Sequence, residues 1–176
     1  MNNENFTNTF LAYIKPGNTI LDLGAGEGRF TQMFIEHGAI VTAVDVRPPT
    51  LRDTTIIIKE MRIEHFCENE KNKNYDLIFA RNVIQFLDKH WVFETLFPWI
   101  DEHIVQQGIV AIETFYQNPN PPFKRPVNSL YTLKELNSYF MAWKELYAKE
   151  YDHHGLDMNG QTRKFFINDL IIQKNK

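Results

Sequence analysis

Three glycines, at positions 24, 26 and 28, interrupt the run Leu21-Asp22-Leu23-Gly24-Ala25-Gly26-Glu27-Gly28 and limit what this 176-residue chain can fold into more than any other stretch. The apolar run Thr19–Leu23 before them reads as a short buried strand. After them Phe30, Phe34 and Ile35 recur at helical spacing, and His37-Gly38 stops that helix. Glycines between a strand and a helix let the backbone turn sharply and let a ligand approach the main chain. The helix N-terminus behind such a loop carries partial positive charge that suits an anionic group. Asp45 lies 21 residues after Gly24, at the end of the next strand-like run, Ile40–Asp45. An acid there accepts hydrogen bonds from both hydroxyls of a ribose. Glycine loop and acid together read as a nucleoside-binding site.

The rest of the chain keeps alternating. Residues 54–59, 75–80 and 109–115 read as a third, fourth and fifth strand, with a helical region over 83–104 in two stretches meeting near Asp88. Only residues 46–53 separate the second strand from the third, and they include Pro48 and Pro49. A parallel crossover normally needs a dozen residues or more, so the second crossover helix is expected to be absent or reduced to a turn. Residues 117–129 hold four of the eight prolines and read as a long loop. Thr132 and Glu135 fit a capping box that opens a helix to about Met141. Segments 143–151 and 163–172 read as strands of a hairpin around Asn159-Gly160, with residues 153–161 as its turn. Strands alternating with helices imply a parallel sheet covered on both faces. The expected fold is therefore α/β: one three-layer domain over residues 1–176, closed by a C-terminal antiparallel hairpin.

A dinucleotide fingerprint, G-x-G-x-x-G, needs glycine at position 29, which is Arg29. The spacing here is G-x-G-x-G with Asp22 directly before it. That suits the single carboxylate and amine of the methionine end of S-adenosylmethionine. Asp22 would serve the amine, directly or through water, and the loop amides the carboxylate. The successive segments LDLGAGEGRF, VTAVDV, YDLIFARNVIQFL and GIVAIETF resemble the motifs of class I S-adenosylmethionine-dependent methyltransferases, in order and over nearly the whole chain. In detail, LYTLKELNSYFMAWKEL and the HHGLDMNGQTRKFFINDLIIQK hairpin resemble the small tellurite-resistance (TehB-like) members.

The resemblance implies a Rossmann-like, mostly parallel seven-stranded sheet whose last strand is antiparallel, with the cofactor across the carboxyl ends of the first strands. Carried over, Gly24, Ala25 and Gly26, with Gly28 and Asp22, border the methionine portion. Asp45 holds the ribose and Val46 packs on the adenine. Arg62 and Ile63 stand where the adenine meets a polar residue and its apolar neighbour, although Arg62 departs from the usual Asp. A backbone carbonyl at Arg81 faces the methionine amine. Gln85 falls where many relatives carry His, and Asn82 reads as a helix N-cap.

Methyl transfer is an in-line displacement that depends on positioning and on exclusion of water. A hydroxyl or amine acceptor often needs a base, whereas a soft anion does not. The candidates near the expected pocket mouth are Glu113, Tyr116 and His153, with His154 and Tyr131 behind them. His153 and His154 are adjacent, so on a strand they point to opposite faces. Lys124 and Arg125 are candidates for receiving an anionic acceptor, and Phe115, Tyr116 and Phe123 for walling off the sulfonium. Residues 1–15 could close the pocket as a lid helix through Phe6, Phe10 and Ile14.

No spacing supports a metal site, and Cys67 is the single cysteine. The net charge of −3 speaks against a nucleic-acid partner. No apolar run reaches the length of a membrane span, and no signal peptide is seen, so a cytoplasmic monomer or homodimer is expected. The reading is methyl transfer from S-adenosylmethionine to a small molecule or an oxyanion such as tellurite or selenite. The alternatives are a non-catalytic cofactor-binding sensor or partner subunit, a macromolecular acceptor, and a nicotinamide-dependent enzyme.

Overall fold

The computed structural model describes residues 3–51, 53–123, 126–157 and 159–175. Seven strands form one sheet in the order β3-β2-β1-β4-β5-β7-β6. They are β1 (Thr19–Leu23), β2 (Ile40–Asp45), β3 (Ile56–Glu60), β4 (Tyr75–Arg81), β5 (Ile104–Asn120), β6 (Lys144–Leu156) and β7 (Thr162–Gln173). β1 to β5 run parallel. β7 runs antiparallel to both of its neighbours, β5 and β6. The expected α/β architecture with a C-terminal hairpin is therefore present. The chain order reverses between β1 and β4, the kind of switch point at which open α/β sheets bind ligands beyond their carboxyl ends.

Among the described residues six α-helices cover the two faces: α1 (Asn3–Leu11) and α2 (Arg29–Glu36) on one, and α3 (Ile63–Asn69), α4 (Lys89–Trp91), α5 (Phe97–His103) and α6 (Leu133–Tyr139) on the other. Among the described residues no helix connects β2 to β3, in keeping with the short proline-containing link. α4 and α5 are joined by a π-helical segment, Val92–Leu96. Pro98, in the first turn of α5, has no N–H to complete the ladder there, and the wider turn absorbs the gap. Asp88 caps α4 by accepting from the Trp91 amide at 2.8 Å. The Thr132–Glu135 capping box of α6 forms in full.

The core lies on both faces of the sheet. Under α1 and α2, Phe6, Phe10 and Phe34 pack around Phe79. All three are fully buried, and each such side chain contributes about 1.5–3 kcal/mol. The N-terminal helix is thus part of the core and not a lid. Two other expectations are corrected. β5 runs on to Asn120, into the stretch read as loop. β6 includes His153 and His154, which pair with Phe165 and Lys164 and so are strand, not turn.

Candidate functional site

The glycine loop is held in shape from within. Gly24, Gly26 and Gly28 all have positive φ, at 75°, 54° and 83°. A Cβ on Gly24 would lie 2.6 Å from Val83 Cγ2, and one on Gly28 would lie 2.5 Å from Pro49 Cβ. A Cβ on Gly26 would meet nothing within 4 Å, which makes Gly26 the open side of the loop. The Gly24 and Ala25 amides donate to the Val44 carbonyl at 2.8 and 3.1 Å, and the Gly28 amide to the Ala25 carbonyl at 2.9 Å. The Gly26 amide donates to Asp45 Oδ2 at 2.9 Å. These amides are engaged within the protein, which corrects the expectation that they receive a ligand carboxylate.

Asp45 stands at the end of β2 and braces the loop. Its Oδ1 accepts from the Arg47 amide at 2.8 Å. Each carboxylate oxygen has a further lone pair for a hydroxyl. Asp22, on the α1–α2 face of β1, is buried and accepts from the Thr31 hydroxyl at 2.6 Å. Burial is the main force on its acidity; the Thr31 bond opposes it and the Asp45 charge adds to it, and the pKa is raised to about 7. Val46 is exposed just beyond β2. Arg62 is exposed at the N-cap of α3. Ile63 is 5% exposed and belongs to the core cluster with Leu23 and Val44.

The other half of the site is a row that starts at the carboxyl end of β4 and crosses β5, β7 and β6. Arg81 pairs in register with Glu113, Glu113 with Asp169, and Asp169 with Lys149. Direct cross-strand partners share a face, here the α1–α2 face. Arg81 Nε lies 2.8 Å from Glu113 Oε2, and its guanidinium sits 4.5 Å over the Phe30 ring. Glu113 also accepts from the Asn82 side-chain amide at 2.6 Å, and its carbonyl accepts from the Asn82 main chain at 2.9 Å. Asn82, at φ 53°, turns the chain out of β4 and is not a helix N-cap. Glu113 is fully buried and holds this turn together, so it is not placed as an accessible base.

Beside this row stands an aromatic wall. Phe115, Phe123 and Phe165 pack with centroids 6.0 Å apart, and the His153 ring stacks on Phe165 at 5.5 Å. Burial lowers the His153 pKa, partly offset by Glu113. Arg163 fixes the wall by donating to the carbonyls of Pro121 and Pro122 at 2.5 and 2.8 Å. His154 is exposed on the other face, as the strand alternation requires. Tyr116 packs on Phe166, also across the sheet from Glu113 and His153, and so does not join them. Tyr131 is fully buried, donates to the Ile84 carbonyl at 3.2 Å and has its pKa raised to about 12 by burial; it is structural and not a base. Gln85 is buried on that same far face, where the Thr114 hydroxyl donates to its Oε1 at 3.3 Å. Cys67 is buried, which raises its thiol to about 12. Lys124 and Arg125 lie outside the described residues.

Asp169, Tyr147 and Tyr151 escaped sequence reasoning. Asp169 is the one acid in β7, and that is the signal that marks it.

No helix among the described residues is long and apolar enough to cross a membrane. No curated protein matches the chain. TehB from Haemophilus influenzae superposes with a TM-score of 0.74 at 22% identity, covering 96% of this chain and 61% of that one. The chain thus spans less than two thirds of that relative. A 1,6-didemethyltoxoflavin-N1-methyltransferase from Burkholderia thailandensis, solved with its acceptor and S-adenosylhomocysteine, gives 0.71 at 16% identity, with coverage of 98% and 77%. The N-methyltransferase NodS from Bradyrhizobium japonicum WM9 gives 0.70 at 14%, with coverage of 99% and 96%. The family described as methyltransferase domain matches residues 3–159. With that match over most of its length, the chain belongs to the methyltransferase domain family.

Proposed function

We propose that the chain transfers the methyl group of S-adenosylmethionine to a small-molecule acceptor. The observation that carries this reading is the brace between Gly26 and Asp45 at the switch point, with the open side of the loop facing outward. When bound, S-adenosylmethionine supplies an electrophilic methyl on a positively charged sulfur. Asp45 takes the ribose hydroxyls with its spare lone pairs. Asp22 lies where it would serve the amine. Val46 offers an exposed apolar side chain to the base. The ligand carboxylate is left to a group other than the Gly24, Ala25, Gly26 and Gly28 amides; Arg29, exposed at the first turn of α2, is the nearest cation in sequence. Arg81, Glu113 and Asn82 shape the turn that presses Val83 against Gly24, and so couple the acceptor side to the cofactor loop. The aromatic wall of Phe115, Phe123 and Phe165 excludes water from the transfer.

A chalcogen oxyanion as acceptor rests on the TehB-like segments and on the likeness to TehB itself. It requires a cation to hold the anion, and Arg81, the half-buried cation of the described row, already faces Glu113. The neighbours whose names specify a small-molecule or nitrogen acceptor support a small molecule more broadly. The test is production of S-adenosylhomocysteine from S-adenosylmethionine across a panel of small amines, phenols, thiols and oxyanions. Turnover with one class and loss of that turnover in Asp45→Ala supports the reading; binding without turnover across the panel supports the non-catalytic alternative.

A further inference from the structure

β1, β2 and β4 stop at nearly one level of the sheet. Leu23 pairs with both Val44 and Ala80, and the three strands end at Leu23, Asp45 and Arg81. Among the described residues the sheet goes on past that level as β5, β7 and β6 alone, out to Asn120, Thr162 and Leu156. On the α1–α2 face of this extension stand Phe115, Phe165 and His153, and Phe123 packs on them from just beyond β5. Ala80 pairs with Leu23 and with Ile112, so Phe115 lies three residues past the level of Leu23 and two strands aside. Strand geometry puts it about 10 Å beyond the end of β1 and about 10 Å to its side. The glycine loop leaves β1 at that end, so a methyl donor on the loop has the wall within reach.

The wall is not part of the core. Phe115 is 3% exposed yet belongs to neither core cluster, and Phe123 and Phe165 are the rings that pack on it. Phe123, Phe165 and His153 are themselves only half-buried. Clustered rings left partly open mark a binding surface. This one is also held rigid. Arg163 is buried, donates to the carbonyls of Pro121 and Pro122, to Asp157 and to the Gln161 side chain, and lies 5.3 Å over the Phe123 ring. It ties the segment that carries Phe123 to the start of β7. A surface fixed in advance loses little freedom when a ligand settles on it.

Charge decides what kind of ligand that is. Burial lowers the His153 pKa, so its ring is neutral at pH 7 like the three beside it. Arg163 spends its N–H groups on protein oxygens, and Arg81 sets Nε 2.8 Å from Glu113 and its plane on Phe30. Among the described residues of the wall nothing is placed to answer an anion. Ring faces and edges instead suit another π-system, in offset or tilted stacking. Building on the methyltransferase reading, we infer that the acceptor is a flat, uncharged aromatic or heteroaromatic molecule that stacks on the wall of Phe115, Phe123, Phe165 and His153. Phe123 and Phe165, the two half-open phenyl rings, determine its specificity.

The test uses the full chain saturated with S-adenosylhomocysteine and titrated by calorimetry at pH 7 with 2-naphthol, with its saturated counterpart decahydro-2-naphthol, and with selenite. 2-Naphthol is expected to bind at least tenfold more tightly than the saturated alcohol, and selenite to give no heat. In Phe165→Leu and in Phe123→Leu, which keep an apolar side chain and remove the ring, 2-naphthol is expected to bind about fivefold more weakly. S-adenosylhomocysteine affinity is expected to stay within twofold in both variants, which also verifies their fold. The comparison of the two alcohols is made on the unaltered chain and does not depend on either variant. No binding of 2-naphthol, equal binding of the two alcohols, binding of selenite, or 2-naphthol affinity unmoved in both variants would each overturn the inference. Failure of S-adenosylhomocysteine itself to bind would instead overturn the cofactor reading on which it rests.

Discussion

Asp45 braces the glycine loop by one oxygen and the start of the β2–β3 link by the other, so its removal acts on ligand and loop together. Asp45→Ala is expected to weaken S-adenosylmethionine binding by roughly 1–3 kcal/mol, the cost of leaving buried polar groups unpaired. The glycines separate two effects. In Gly26→Ala the only protein-side cost is the left-handed backbone, about 1–2 kcal/mol, because the space around it is open. In Gly24→Ala the same strain adds to a collision with Val83, so its melting temperature is expected to fall further than that of Gly26→Ala. Gly26→Ala is expected to lose more ligand affinity than stability, since its methyl points to the open side. The buried acids give a pH signature. Asp22 and Asp169 have pKa values raised to about 7 and about 8, chiefly by burial. The folded state therefore holds protons that the unfolded chain has already lost above pH 4. Their contribution is fully present below that pH and is lost as pH rises through 7 and 8. Thermal unfolding is expected to shift to lower temperature between pH 6.5 and 8, and Asp169→Asn to flatten that slope. A slope of opposite sign, or one unchanged by the variant, would contradict the assignment.

At the scale of elements, the α6 capping box predicts a separable effect. Thr132→Ala is expected to cost about 1 kcal/mol of stability and to leave S-adenosylhomocysteine binding unchanged, because α6 covers the face opposite the Arg81–Glu113–Asp169 row. Elements with local signals were legible. The glycine loop, Asp45, the capping box and the turn at Asn159-Gly160 each declare themselves within a few residues. The missing crossover helix was legible from the two prolines and the short link. What was not legible depends on partners distant in sequence. β5 extends to Asn120 because β7 pairs with it across Gln117 and Asn120, against the proline signal. His153 and His154 enter β6 for the same reason. Ile63 is drawn into the core by where α3 packs, which its own neighbours in sequence do not reveal.

For the whole molecule, the strand order creates the site. A C-terminal hairpin read from sequence has two exposed edges, and an acid in its last strand looks solvent-facing. In the structure β7 is inserted between β5 and β6, so Asp169 is enclosed on both sides and set beside Glu113. The same arrangement sets the Arg81–Glu113–Asp169 row beside the aromatic wall of Phe115, Phe123 and Phe165. The N-terminal helix does not close that end, because Phe6 and Phe10 anchor it in the core. The account stands first on the cofactor, and the most direct measurement is a calorimetric titration of the chain with S-adenosylmethionine, S-adenosylhomocysteine and NAD in parallel. The two adenosyl ligands are expected to bind and NAD to give no heat. Binding of NAD alone, or of none of the three, would contradict the reading of the glycine loop and Asp45 on which everything else is built.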